Sequence, residues 1–210
     1  MIVTDILEVN LGHSKKKKAY KIYLDYNFAF LLYSQDIKLY GLKKGLDLSE
    51  ETYHKIIEET VYRRAKQKAL AILKFADRTQ YELYIKLKDA YYTDEIIDRT
   101  IEYLKGYNYL NDVRYASNYI RSKMYQQSKL VLKSKLLQKG IDRDTIEKII
   151  FNEYQTSAED KDPEILAINK HIKKKYKDLT CLTKEEKQKL ITSLYRKGFN
   201  LDKIHKCLDI

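Results

Sequence analysis

Leu132 to Ile150 reads LKSKLLQKGIDRDTIEKII. Leu132 and Leu136 lie four apart on one helical face, and Gly140, four further on, supplies the left-handed backbone that stops the helix. Ile141 follows, Asp142 stands in an N-cap position, and Ile146 and Ile150 mark the buried face of a second helix. The spacing recurs as Leu83, Leu87, Tyr91, Tyr92, Ile97, Ile101 and again as Leu190, Leu194, Gly198, Phe199, Ile204, Leu208, with Thr93 and Asn200 in the cap register. A helical unit this short cannot bury its own apolar face, so its copies must pack on neighbours. The pattern therefore predicts a mainly α fold of tandem three-helix repeats in an elongated curved array, which is first of all a binding surface.

Working outward, the helix boundaries are legible. Thr79 with Glu82, and Thr183 with Glu186, match the capping box that satisfies free amides at a helix start. Asp162 followed by Pro163, the one proline, is an N-cap and the helical position that tolerates proline. Ser49 caps a helix whose apolar side is Tyr53, Ile56, Ile57, Val61, Ala65, Ile72 and Leu73, running to about Ala76. Upstream, Tyr20–Asp25 and Phe28–Tyr33 read as a β-hairpin turning at Asp25, Tyr26 and Asn27, with Ile2–Asn10 as a third strand. Gly41 and Gly45 punctuate a short helix and turn, and Lys15–Lys18 reads as a solvated loop. The expected domains are a small α+β domain at 1–60 and three-helix repeats at 61–106, 107–154 and 155–210, with Gln155–Lys161 as a polar connection.

Composition narrows the class. No apolar run approaches the roughly 18 residues of a membrane span, and MIVTDILEVN lacks the basic start and apolar core of a signal peptide. A soluble, cytoplasmic protein is expected. Cys181 and Cys207 give neither a disulfide framework nor a metal-ligand spacing. His13, His54, His171 and His205 occur in no metal spacing, there is no glycine-rich phosphate loop, and no nucleophile and base form a motif. No catalytic residue, metal or cofactor is expected.

The net charge of +11 is unevenly placed. The first sixty residues carry nine basic and nine acidic side chains; 61–106 carries ten and seven, 107–154 nine and five, and 155–210 thirteen and nine. The excess lies wholly in the helical repeats, as expected for a partner that is nucleic acid or a protein coated on it. Richness in Lys, Ile, Tyr and Asn is also what an AT-biased genome supplies, so charge alone does not choose between these readings.

With the repeat goes the segment Tyr109, Leu110, Asn111, Asp112, Tyr115, Ala116, and a leucine-rich helix ending Lys139, Gly140, Ile141. On these residues the chain resembles RecX, the bacterial regulator of the RecA recombinase, over nearly its whole length and most strongly from Arg63 to Tyr154. The hairpin and the Gly41–Gly45 run, Gly-Leu-Lys-Lys-Gly, are similar to the longer members from low-GC Gram-positive bacteria. Tyr91 departs from the family pattern, which has glycine there. A left-handed tyrosine is strained, so that helix is expected to end differently or run one residue on.

The resemblance implies a non-enzymatic, monomeric protein that binds RecA, typically in the groove of the RecA filament on DNA, and limits filament growth. DNA repair, homologous recombination and the SOS response are the implied setting. Arg114, Arg121, Lys129, Lys133 and Lys139 are the candidate contacts to RecA or DNA: Arg121 lies seven beyond Arg114 and Lys133 four beyond Lys129, so each pair can share a face. Lys173, Lys174, Lys175 and Lys177 form a denser cluster at a helix end, where the dipole also favours cations. Tyr115 and Tyr119 suit base stacking or, more simply, packing at helical spacing. Asp112 suits a partner contact or a first-turn acid, and Tyr109 and Leu110 read as packing residues seating one unit on the next. Two other classes stay open: a general DNA-binding helical module that needs no RecA, and a helical adaptor for another protein.

Overall fold

The computed structural model describes residues 1–10, 18–156, 162–176 and 182–208. It divides into two compact units, Met1–Leu110 and Asn111–Ile210. His13, Lys15 to Lys17, the 157–161 part of the polar connection, Lys177 and Cys181 lie outside the described residues.

In the first unit, strands β1 (Val3–Val9), β2 (Ala19–Leu24) and β3 (Asn27–Tyr33) form an antiparallel sheet in that order. The β2–β3 turn is made by Asp25 and Tyr26, both with positive φ (47° and 67°), the primed geometry that matches the strands' twist. The predicted hairpin and third strand are thus present. The sheet's inner face, with Ile22, Phe30 and Leu32 buried, packs on Ile56, Ile57, Val61 and Ala65. A short helix α1 (Ser34–Leu39) precedes Gly41.

Ser49 caps α2 (Glu50–Lys55), accepting a hydrogen bond from the Thr52 N–H at 3.2 Å. The chain then runs through a π-helical segment, Ile56–Tyr62, into α3 (Arg63–Phe75), ending at Ala76. The predicted single helix is continuous but widened at its centre, where Ile56, Ile57, Thr60 and Val61 are buried. The widened turns are where the helix meets the sheet; periodicity does not reveal them, because both helix types bury the same residues.

The repeat governs the rest. The first repeat packs α3, α4 (Gln80–Lys88) and α5 (Asp94–Gly106); Leu83, Leu87, Ile97 and Ile101 sit in its core with Leu104 and Leu110. In the second unit, α6 (Asp112–Lys123), α7 (Lys129–Gln138) and α8 (Arg143–Thr156) bury Leu132, Leu136, Ile141, Ile146 and Ile150. There too, α9 (Pro163–Lys175), α10 (Lys184–Arg196) and α11 (Leu201–Leu208) bury Leu190, Leu194, Phe199, Ile204 and Leu208. Both capping boxes form, and Asp142 and Asn200 accept hydrogen bonds from Thr145 and Lys203 N–H groups. Thr93 occupies its cap position without a side-chain bond.

The three middle helices close alike. Ile141 N–H bonds back to Leu136 O, Phe199 N–H to Leu194 O and Tyr92 N–H to Leu87 O, around stop residues with φ of 80°, 78° and 63°. The last of these is Tyr91, so the expectation of a different or longer helix end is corrected. The closing bonds hold a non-glycine residue in the left-handed region, and Lys21 Nζ lies 4.1 Å from its ring centroid. Asn108, at φ 55°, ends α5 by the same device, with Tyr109 N–H bonded to Leu104 O.

Candidate partner-binding surface of the second and third repeats

Asn111 is the N-cap of α6 and accepts the Arg114 N–H at 2.9 Å, so Asp112 opens the helix as a first-turn acid and Arg114 projects, exposed, one turn on. Ala116, Ile120 and Met124 form the buried stripe of α6. Tyr115 and Tyr119 flank that stripe half-buried, their rings stacked at 6.4 Å and 9°. Packing and partial display are both satisfied, since each ring packs on the core and stays partly exposed. Burial pushes the Tyr119 hydroxyl up, against the opposing charge of Lys139. Lys139, at the C-cap of α7, lies 5.3 Å from the Tyr115 ring centroid. Tyr115, Tyr119 and Lys139 thus belong to the surface where α6 meets the end of α7, and Arg114 is exposed in the first turn of α6.

Arg121, Lys129 and Lys133 face α8. Arg121 Nε bonds Glu153 Oε2 at 2.5 Å; the carboxylate is buried while the arginine side chain keeps 63% of its exposure. The Glu153 hydrogen bond holds the Arg121 guanidinium above its usual range. Lys129 Nζ sits 4.2 Å from the Tyr154 ring centroid, and Lys133 pairs with Glu147, which also takes Arg143 at 3.2 Å. The Lys133 and Arg143 hydrogen bonds lower the Glu147 carboxyl. Lys129 and Lys133 do share a face of α7, and it is the face that meets α8.

Lys173, Lys174 and Lys175 are exposed in the last turn of α9, with Lys175 Nζ 5.3 Å from the Tyr176 ring centroid. The structure separates them by direction. Lys174 shares an open cleft of about 440 Å³ with Lys135, Lys170, His171 and Lys197, whereas Lys173 and Lys175 do not line it. Grouping by adjacency along the chain missed this cluster; Lys170 and Lys174, four apart, carried the signal.

Of the residues quoted for the family resemblance, Leu110 is buried in the first repeat's core, and Ala116 and Gly140 serve the second repeat's packing and helix stop. Tyr109 is a correction: it is 53% exposed, its ring lying on that of Tyr107 at 6.2 Å. Asn108 turns the chain at the end of α5, and it is Leu110 that takes the core position. His54 is exposed, and among the described residues no three His, Cys, Asp or Glu side chains cluster as metal ligands would. No helix among them is long and apolar enough to cross a membrane.

Comparison with known proteins places this geometry. Family models for the first, second and third three-helix domains of RecX match residues 65–104, 111–149 and 164–208. The regulatory protein RecX of Clostridium acetobutylicum is 30% identical over 200 residues, covering 94% of this chain and 92% of the relative. The chain belongs to the RecX family. The RecX of Clostridioides difficile is 33% identical over 194 residues, 90% of this chain and 87% of the relative. A crystal structure of regulatory protein RecX covers 99% of this chain and 98% of its own, with TM-score 0.60 and 22% identity, and shows the same fold. The RecX structure from Lactobacillus salivarius gives TM-score 0.58 at 25% identity, over 70% of this chain and 96% of its own. Arg114, Arg121, Lys129, Lys133 and Lys139 fall in the second RecX domain, and Lys173 to Lys175 in the third.

Proposed function

We propose that this protein regulates RecA by binding the RecA–DNA filament in its groove, and that it inhibits the recombinase by impeding monomer addition or the filament's conformational change. Membership of a family of regulatory proteins, matched in all three helical domains, is the observation that carries the reading. The protein acts as a monomeric binder and not as a catalyst. Lys139, beside the stacked tyrosines, and the exposed Arg114 make the contact with acidic RecA surface or phosphates, and the exposed Arg121 and the lysines of α9 extend it. Lys129 and Lys133, engaged with Tyr154 and Glu147, contribute field more than direct contact.

Co-sedimentation tests this. The protein pellets with RecA assembled on single-stranded DNA, and Arg114→Glu with Lys139→Glu leaves it in the supernatant. Pelleting with DNA alone to the same extent, with no gain from RecA, would favour the general DNA-binding module instead.

A further inference from the structure

The cleft shared by the second and third repeats is built differently from the rest of the basic surface. Lys135 comes from α7, Lys170 and Lys174 from α9, and Lys197 from the C-cap of α10, so three helices bring four lysines to one concavity. Among the described residues no carboxylate lines it and none of the four lysines is paired with one. Nearby cations are neutralised by their own chain: Arg121 by Glu153, Lys133 by Glu147, Lys203 by Asp162 and Glu164.

Two of the cleft lysines, Lys135 and Lys197, are held by neutral acceptors instead. Lys135 Nζ donates to Gln127 Oε1 at 3.3 Å. Lys197 Nζ lies 3.3 Å from His171 Nδ1; an ammonium only donates, so Nδ1 accepts. His171 Nε2 then carries the proton given to the Gln126 carbonyl at 2.9 Å, and the ring stands edge-on to Phe199 at 5.5 Å. These contacts position Lys135 and Lys197 and leave their charge uncompensated. Like charges so gathered repel one another, and an anion in the cleft relieves that cost.

We infer that this cleft binds the phosphodiester backbone of a nucleic-acid strand. All four cations are lysines, point charges that neutralise successive phosphates without imposing one orientation, and no arginine fork lines the cleft to grip a single carboxylate or phosphate bidentately. Phe199 is buried and both His171 ring nitrogens are engaged, so the aromatic lining offers no free ring nitrogen to read a base edge. Recognition is of backbone, independent of sequence. The contact is with the nucleic acid itself and holds whether or not RecA is the regulated partner.

The test is fluorescence anisotropy of a labelled oligothymidylate with the full chain, without RecA, across a salt series. Each cleft lysine that contacts a phosphate contributes about 0.7 to the slope of log affinity against log salt on a single strand. Lys170→Gln with Lys174→Gln therefore lowers the slope by about 1.4, whereas Lys43→Gln with Lys55→Gln, an equal loss of charge in the first unit, leaves it unchanged. Both pairs are surface changes, and unaltered thermal melts confirm that each variant is folded. An equal slope for the cleft variant and wild type overturns the inference. So does competition at fixed ionic strength in which polyglutamate, or inorganic phosphate, displaces the strand as well as unlabelled oligothymidylate does. Because RecA is absent, either outcome leaves the filament reading to its own test.

Discussion

Glu164, in the first turn of α9, accepts a hydrogen bond from the backbone N–H of Lys129, the first residue of α7, at 3.2 Å. The same carboxylate takes Lys203 Nζ of α11 at 2.9 Å, and Lys203 also bonds Asp162 at 2.6 Å. A buried acid therefore ties the second repeat to the third and satisfies an amide that the start of α7 would otherwise leave open. Beside it, Ser128 Oγ donates to the Lys197 carbonyl at 2.7 Å. Seating of the two repeats is thus polar and specific at a seam flanked by apolar cores.

Removing one partner leaves a buried charge alone. Lys203→Met is expected to cost about 3 kcal/mol in urea unfolding, the scale on which breaking a buried pair is felt. Glu164→Gln added to it restores part of that loss, since the neutral amide can still accept the Lys129 N–H.

Gly198 faces a double constraint. Its φ is +78°, and a Cβ there would meet Ser128 Oγ at 2.9 Å and Leu130 Cβ at 3.2 Å. Gly198→Ala should cost about 1–2 kcal/mol for the left-handed backbone, and more as the Ser128 bond shifts. Gly45→Ala, at φ +85° with nothing within 4 Å of an added Cβ, supplies the backbone-only reference. Equal melting losses for the two would contradict the seam described here.

Tyr91 offers a compensated strain. Tyr91→Gly removes about 1 kcal/mol of left-handed cost and forfeits about 0.5–1 kcal/mol of attraction to Lys21, so stability should change little. Lys21→Ala is expected to weaken wild type by about 0.5 kcal/mol and the Tyr91→Gly protein hardly at all. A double-mutant cycle with no coupling would show the ring contact to be idle.

Acid should release the grip of Arg64 on Asp36. Its carboxylate, 7% exposed, is gripped by Arg64 through two nitrogens and accepts the Tyr33 N–H at 2.8 Å. Burial pushes its pKa up, but the Arg64 and Tyr33 hydrogen bonds and the arginine charge outweigh that and leave it below the usual carboxylate range. A depressed native pKa stabilises the fold above the unfolded value of about 3.9 and loses that stabilisation as pH falls through the native value. Wild type should therefore lose stability below about pH 4. Asp36→Asn, weaker at neutral pH, should lose less over the same range.

The repeat was legible because its signals are local: leucines at 83, 132 and 190 and stop residues at 91, 140 and 198 act within one helix pair. Tyr91 shows where the code is looser, since closing hydrogen bonds impose a conformation that residue type argues against. The candidate site was only half legible. Helical spacing correctly placed Lys129 and Lys133 on one face, but which face meets α8 depends on Glu147 and Tyr154, fourteen and more residues away. The Lys135, Lys170, Lys174 and Lys197 cleft needs three helices to meet, and no window along the chain contains them all.

RecA-catalysed ATP hydrolysis on single-stranded DNA, with this protein added far below the RecA concentration, tests the central claim most directly. The account predicts that wild type suppresses hydrolysis at such ratios, since one molecule seated in the groove impedes growth of a whole filament, and that Arg114→Glu with Lys139→Glu does not. Undiminished hydrolysis with wild type at every ratio would contradict it.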